Sequence, residues 1–183
     1  MRQTPPKWTR LVRNSAVIAF TALCSAANTG RIWATPAAGF TATTVMSGRF
    51  DEIDVKNKPL IADSSEIDRR AKAWLAREKA PGSSHLYIQS NEWQPGGSTG
   101  WHTHPGHSLI IVTAGTVTEY EAPDPDCKPH IYSEGMSFID PHDDNAHIIR
   151  NEGDSVARTT AIQLIPPGEP RRIDSADPGT CHF

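Results

Sequence analysis

Imidazole titrates near neutral pH and is the commonest protein ligand for transition metals, so clustered histidines are where chemistry is sought first. Six of the eight histidines fall between residues 102 and 147: His102, His104, His107, His130, His142 and His147. Three of them stand in GWHTHPGHSLIIVTAG, residues 100–115, at the mouth of a run of β-formers. Residues two apart on a strand point to the same face, so His102 and His104 present two imidazoles side by side. A third ligand must come from elsewhere in the fold, and His147 opens a second expected strand, AHIIRN. If His102 and His104 face inward, so do positions 108, 110 and 112; His107 is then out of phase unless Pro105-Gly106 inserts a bulge. An H-x-H pair alone leaves two readings open: metal ligation, or imidazoles hydrogen-bonded within a core.

The elements that must carry these residues are short. Fifteen prolines and thirteen glycines in 183 residues mark frequent turns, which favours many brief strands. Apolar, β-branched runs recur at TATTVMSGRF, HLYIQSNEW, SLIIVTAG, TVTEYEA, HIYSEG, MSFIDP, AHIIRNEG and VARTTAIQLI. This pattern predicts an all-β sandwich or barrel. QPGGSTG, residues 94–100, reads as a loop. One stretch breaks the period. In DSSEIDRRAKAWLAREK, Asp63 can cap, Glu66 completes a capping box, and Ile67, Ala71, Trp74 and Leu75 share a face. It predicts an amphipathic helix over about 64–79, packed on the body by Trp74 and Leu75. Residues 35–40 and the C-terminal tail, 166–183, read as arms. Trp93, Trp101, Tyr87 and Gln89 suit core or rim packing. Gln163 interrupts an apolar strand and either faces the interior or sits at an edge.

GWHTHPGHSLIIVTAG resembles the first motif of the cupin superfamily: an H-x-H pair, a glutamate, and a closing glycine matched by Gly115. GMSFIDPHDDNAHIIRN resembles the second, with Gly135, Pro141, His147 and Asn151 at the expected outer spacings. The resemblance spans roughly residues 84–168 and implies a single cupin-like jelly-roll barrel. It implies one divalent transition metal inside, held by His102, His104 and His147; iron, manganese, zinc, nickel and copper are not distinguished. Two departures stand out. The family's glutamate falls on Ser108, a poor ligand, so the site is expected without its carboxylate and with open positions filled by water. The second motif carries an extra residue and has Asp143 where the family has glycine. A fourth ligand could come from His107 or His142. Three neutral imidazoles leave a divalent ion uncompensated, which would attract an anionic small molecule.

The N-terminus differs in kind. Arg2, Lys7, Arg10 and Arg13 precede the apolar stretch SAVIAFTALCSAA, the layout of an export signal. The apolar run falls short of the ~20 residues a membrane span needs. We expect a signal peptide over residues 1–34, a cut after Ala34, a mature domain over 35–183, and a secreted or periplasmic location. The whole chain carries 18 basic and 21 acidic residues, a formal −3. Removing residues 1–34 takes away five bases and no acid, leaving −8. That balance, without a basic stripe, excludes nucleic acid and anionic membranes as natural partners. Export leaves Cys127 and Cys181, which in an oxidising compartment pair as a disulfide.

No P-loop, nucleophile elbow or CxxC occurs, which sets those classes aside. Two functions remain: a metal-dependent oxygenase, isomerase or lyase acting on a small polar or anionic molecule, or a non-catalytic cupin that captures a ligand or metal. A placed acid or base beside the metal discriminates them, and the sequence offers His142, Asp143 and Asp144 in one loop. An exposed jelly-roll edge permits a homodimer.

Overall fold

The computed structural model describes residues 34–57, 76–140 and 145–183. The expected signal peptide, most of the expected helix, and His142 with its two neighbouring aspartates lie outside these residues.

The described chain is all-β. In order its strands are β1 (Ala38–Phe50), β2 (Ile53–Asn57), β3 (Ala76–Ala80), β4 (Ser84–Ser98), β5 (His102–Thr103) and β6 (Ser108–Ala114). There follow β7 (Thr116–Glu121), β8 (His130–Ser133), β9 (Ser137–Asp140), β10 (His147–Arg150), β11 (Ala157–Ile165) and β12 (Ile173–Asp174). Ten form one antiparallel sheet, with the path β12-β5-β10-β4-β11-β6-β9, β1 on β4, and β7 between β10 and β8. The sheet curls into a nearly closed barrel, the jelly-roll arrangement expected. β2 and β3 pair separately. Ala76–Ala80 are therefore strand, not the last turn of a helix running to Lys79; pairing with Ile53–Asn57 satisfies their backbone groups instead.

Period-two alternation sets the interior. Along β6, Ser108, Ile110 and Val112 are buried while Leu109 and Ile111 are exposed. Along β11, Ala157, Thr159, Ala161, Gln163 and Ile165 are buried. Trp93, Ile110, Val112, Val117, Phe138, Ile149, Ala157 and Ala161 make the barrel core. The turn joining β6 to β7 requires Gly115: its φ is +69°, and a Cβ there would stand 2.9 Å from the carbonyl oxygen of Val156.

One segment departs from expectation. Residues 94–98, read as loop, continue β4, where Ser98 pairs with both Ala38 and Arg150. The tail is tied through Cys181, as the expected disulfide requires, and by backbone pairing as well. Ile173 and Asp174 pair with Thr103 and His102, Ser175 N–H donates to the Trp101 carbonyl at 2.9 Å, and Cys181 is disulfide-bonded to Cys127. The bridge sits in a second apolar cluster with Trp101, Tyr120 and Ile148. The first described residues join the same strap: Thr35 N–H donates to Ser175 O at 3.1 Å.

Candidate metal centre

β5 is only two residues long, but a strand pairs with it on each edge. His102 lies directly opposite His147 of β10 and opposite Asp174 of β12 on its other edge. The register on β10 therefore brings two distant imidazoles side by side, ring centroids 4.3 Å apart. His104 completes the group at 4.8 Å from His102 and 5.4 Å from His147. One ligand atom from each of the three lies within 4.8 Å of the others, so the cluster can hold a metal ion. Ligands at 2.0–2.1 Å from one ion are at most about 4 Å apart, so a small contraction suffices.

Carbonyl groups set the ring orientations. His102 Nδ1 is 2.9 Å from Gly100 O, and His104 Nδ1 is 2.6 Å from Arg171 O. A carbonyl only accepts, so each Nδ1 carries the proton and each Nε2 offers a lone pair. His102 is 4% exposed. Burial, followed by the neighbouring His147, His104 and Arg172, holds its pKa well below 6.5. It is therefore neutral at pH 7, the form a metal needs.

The carboxylate that Ser108 fails to supply is present after all. Ser108 pairs across strands with Asp140, the last residue of β9. Asp140 is 1% exposed. Its Oδ2 lies 3.0 Å from His104 Nε2 and 3.4 Å from His147 Nε2. Beyond these two imidazoles, neither of its oxygens has a hydrogen-bond partner among the described residues. A buried carboxylate without donors is costly unless paired with a cation. The three imidazoles form the group able to hold a divalent ion, and Asp140 stands beside two of them. Asp140 was missed because attention fell on the family's own position; alternation with buried Phe138 in MSFIDP was the available signal.

The other candidates sort cleanly. His107 is outside the cluster; its Nε2 is 3.8 Å from Glu78 Oε2, and the residue is half-buried. It is out of phase with the inward positions, and it lines a separate surface cleft with Glu78 and Pro105. Gln163, left open by the sequence, faces inward, is 2% exposed, and donates through Nε2 to Arg171 O at 2.8 Å. The same carbonyl thus receives both Gln163 and His104. Trp93 and Trp101 are each 1% exposed and belong to the two cores. A cavity of about 120 Å³ adjoins the cluster, lined by His102, His104, Asp140, Gln163, Arg171 and Arg172 on its polar side and by Phe40, Ile110 and Ala161 on its apolar side. Deeper in the barrel wall, Glu119 of β7 is 6% exposed. Burial first, then Asp140 and Glu121, raise its carboxyl to about 7. The second motif's Asn151 has a structural place: its Nδ2 donates to Trp93 O at 3.1 Å and Ser155 O at 2.8 Å.

Residues 91–163 match the family described as the cupin domain, a span that includes all three histidines and Asp140. No curated protein matches the sequence. Among solved structures, an oxalate oxidase is similar at 19% identity and TM-score 0.38, over 44% of this chain and 45% of that one. The polyketide cyclase RemF from Streptomyces resistomycificus is similar at 19% identity and TM-score 0.42, over 51% of this chain and 64% of that one. A predicted oxalate decarboxylase from Thermotoga maritima is similar at 15% identity and TM-score 0.38, over 47% of this chain and 84% of that one. The similarity thus spans under half the oxalate oxidase and just under two thirds of RemF. Two motifs in order, an inward histidine trio on a jelly roll and the family match converge: residues 91–163 of this chain form a cupin domain.

Proposed function

We propose that this protein is an exported, metal-dependent enzyme of the oxygenase, isomerase or lyase type acting on a small anionic molecule. His102, His104, His147 and Asp140 hold one divalent transition metal. The observation that carries the reading is the histidine trio, one ligand atom from each within 4.8 Å of the others, with the 1% exposed carboxylate of Asp140 3.0 Å from one of its imidazole nitrogens. An ion bound there supplies Lewis-acid chemistry, or redox chemistry with iron, manganese or copper. The chain's own contribution is orientation and enclosure. Gly100 O and Arg171 O fix two imidazoles, and the apolar wall of the cavity excludes water from the substrate. A three-histidine, one-aspartate set reduces a divalent ion to a formal +1, which still favours an anionic ligand in a buried site.

Export is supported by the disulfide, a bond that persists in oxidising compartments. Cleavage after Ala34 would leave Thr35, whose hydroxyl accepts a 2.6 Å hydrogen bond from Trp101 N–H. Intact-mass measurement of the protein from the periplasm or medium should begin at Thr35; a full-length mass there would refute the cut. The metal reading is tested by elemental analysis of the purified protein and of His102→Ala. About one transition-metal ion per chain is expected in the first and a trace in the second. Equal content in both would sink the site. Turnover of small acids only by the metal-loaded chain would establish catalysis; a fully loaded chain without turnover would leave a binding protein.

A further inference from the structure

Arg171 is a group the metal site does not use. Its carbonyl serves His104 and Gln163, and the residue is among those lining the cavity. Nη1 of its guanidinium is buried and, among the described residues, has no hydrogen-bond partner. No carboxylate pairs with it among the described residues, whereas its neighbour Arg172 is paired with Asp174. The cation lies over the face of Tyr87, 5.4 Å from the ring centroid. A buried guanidinium N–H without an acceptor costs about 1–3 kcal/mol, so something is expected to meet it.

We propose that Arg171 anchors the carboxylate of a small organic acid whose other end lies against the histidine–aspartate cluster. The proposal rests on the metal reading above and narrows its substrate class. Three features of the cavity select the ligand. A planar fork of N–H donors matches a carboxylate in two parallel bonds. The wall beside these polar groups includes Phe40, Ile110 and Ala161, which suits a short carbon skeleton. The volume, about 120 Å³, is slightly less than the ~150 Å³ that accommodates benzene, so the ligand has roughly four to seven non-hydrogen atoms. Arg171 thus has two duties from one residue: its carbonyl holds a ligand imidazole in the metal-binding tautomer, and its side chain holds the substrate. The tail brings it there, pinned on one side by β12 against β5 and further on by the Cys127–Cys181 bridge.

The test uses the disulfide-bonded protein loaded with cobalt(II), titrated calorimetrically with malonate, glycolate and inorganic phosphate. Parallel titrations use Arg171→Met and Arg171→Lys, with cobalt content and circular dichroism measured for all. Malonate or glycolate should bind the parent chain, and both variants should lose about 10- to 100-fold in affinity at unchanged cobalt content. The lysine variant carries the test if the methionine variant fails to fold, because it keeps the charge and loses the fork. Cobalt uptake with equal acid affinity in parent and variants overturns the anchor and leaves the metal reading standing. No cobalt uptake, with acid binding that still depends on Arg171, overturns the metal reading and leaves the anchor. Phosphate binding as tightly as the acids overturns the carboxylate class. Absence of acid binding by the parent chain, or loss of cobalt in a folded Arg171 variant, overturns the proposal.

Discussion

Glu119→Gln should make the metal-free protein more stable, and only at neutral and alkaline pH. Glu119 is 6% exposed, and burial, Asp140 and Glu121 raise its carboxyl from 4.5 to about 7. A folded-state pKa above the unfolded one means that the fold binds the proton more tightly. Between pH 4.5 and 7 the folded chain therefore carries more protons than the unfolded chain, and stability falls as pH rises. The contribution is fully present below pH 4.5 and is lost as pH passes through about 7. At about 1.36 kcal/mol per pH unit, the loss from this residue is about 3 kcal/mol. Glutamine cannot ionise, can still accept the hydrogen bond from the Tyr132 hydroxyl, now 3.4 Å from Oε2, and has nearly the same volume. The variant should match the parent near pH 4.5 and exceed it by about 3 kcal/mol at pH 8, an increase of roughly 6–12 °C in Tm. Urea unfolding of both proteins, oxidised and with chelator present, from pH 4 to 8 measures the difference. Titrating groups that do not interact with Glu119 contribute alike to both chains and cancel. Stability curves that run parallel across pH 4.5–8 would refute the reasoning.

Four further outcomes are expected. Asp140→Asn should lower metal affinity by at least about 10-fold, because an amide supplies no charge to a site meant for a divalent ion. The swap Ser108→Glu with Asp140→Ser should restore part of it, since the two positions face each other across β6 and β9; competition with a chelating dye reads both, and a swap no better than Asp140→Asn refutes the idea that one carboxylate serves from either strand. Cys181→Ser should cost about 4 kcal/mol in the chain-entropy picture for a loop of 54 residues, read as a lower urea midpoint; an unchanged midpoint would mean that the bridge constrains nothing. Gly115→Ala should cost about 1–3 kcal/mol, because φ is +69° and the added methyl meets Val156 O at 2.9 Å; a thermal melt identical to the parent would remove the reason given for this glycine.

Much of the barrel was legible from local alternation. Along SLIIVTAG, the inward positions 108, 110 and 112 followed from the phase of His102 and His104, and His107 fell out of phase as it does in the structure. The parity of Cys127 and Cys181, given the expectation of an oxidising compartment, sufficed to pair them. The motif spacings brought His102, His104 and His147 to one point. Other features were not legible. The glycines of residues 94–98 read as a loop, yet β4 continues through them because Ala38 and Arg150 offer backbone partners to Ser98. Ala76–Ala80 carry a helical pattern but pair with β2.

Sequence by itself determined which side chains share a face of each strand, because alternation is a stereochemical property of the strand and needs no partner. It determined the histidine trio and the cysteine pair for a related reason: each is a choice of residue type, written at one position. Only the tertiary structure decided that Asp140 stands opposite Ser108 and that the tail delivers Arg171 to the cavity. Those are matters of register and of how the chain closes long loops. Both are set by the packing of the whole barrel, and a one-residue slip would reverse every face.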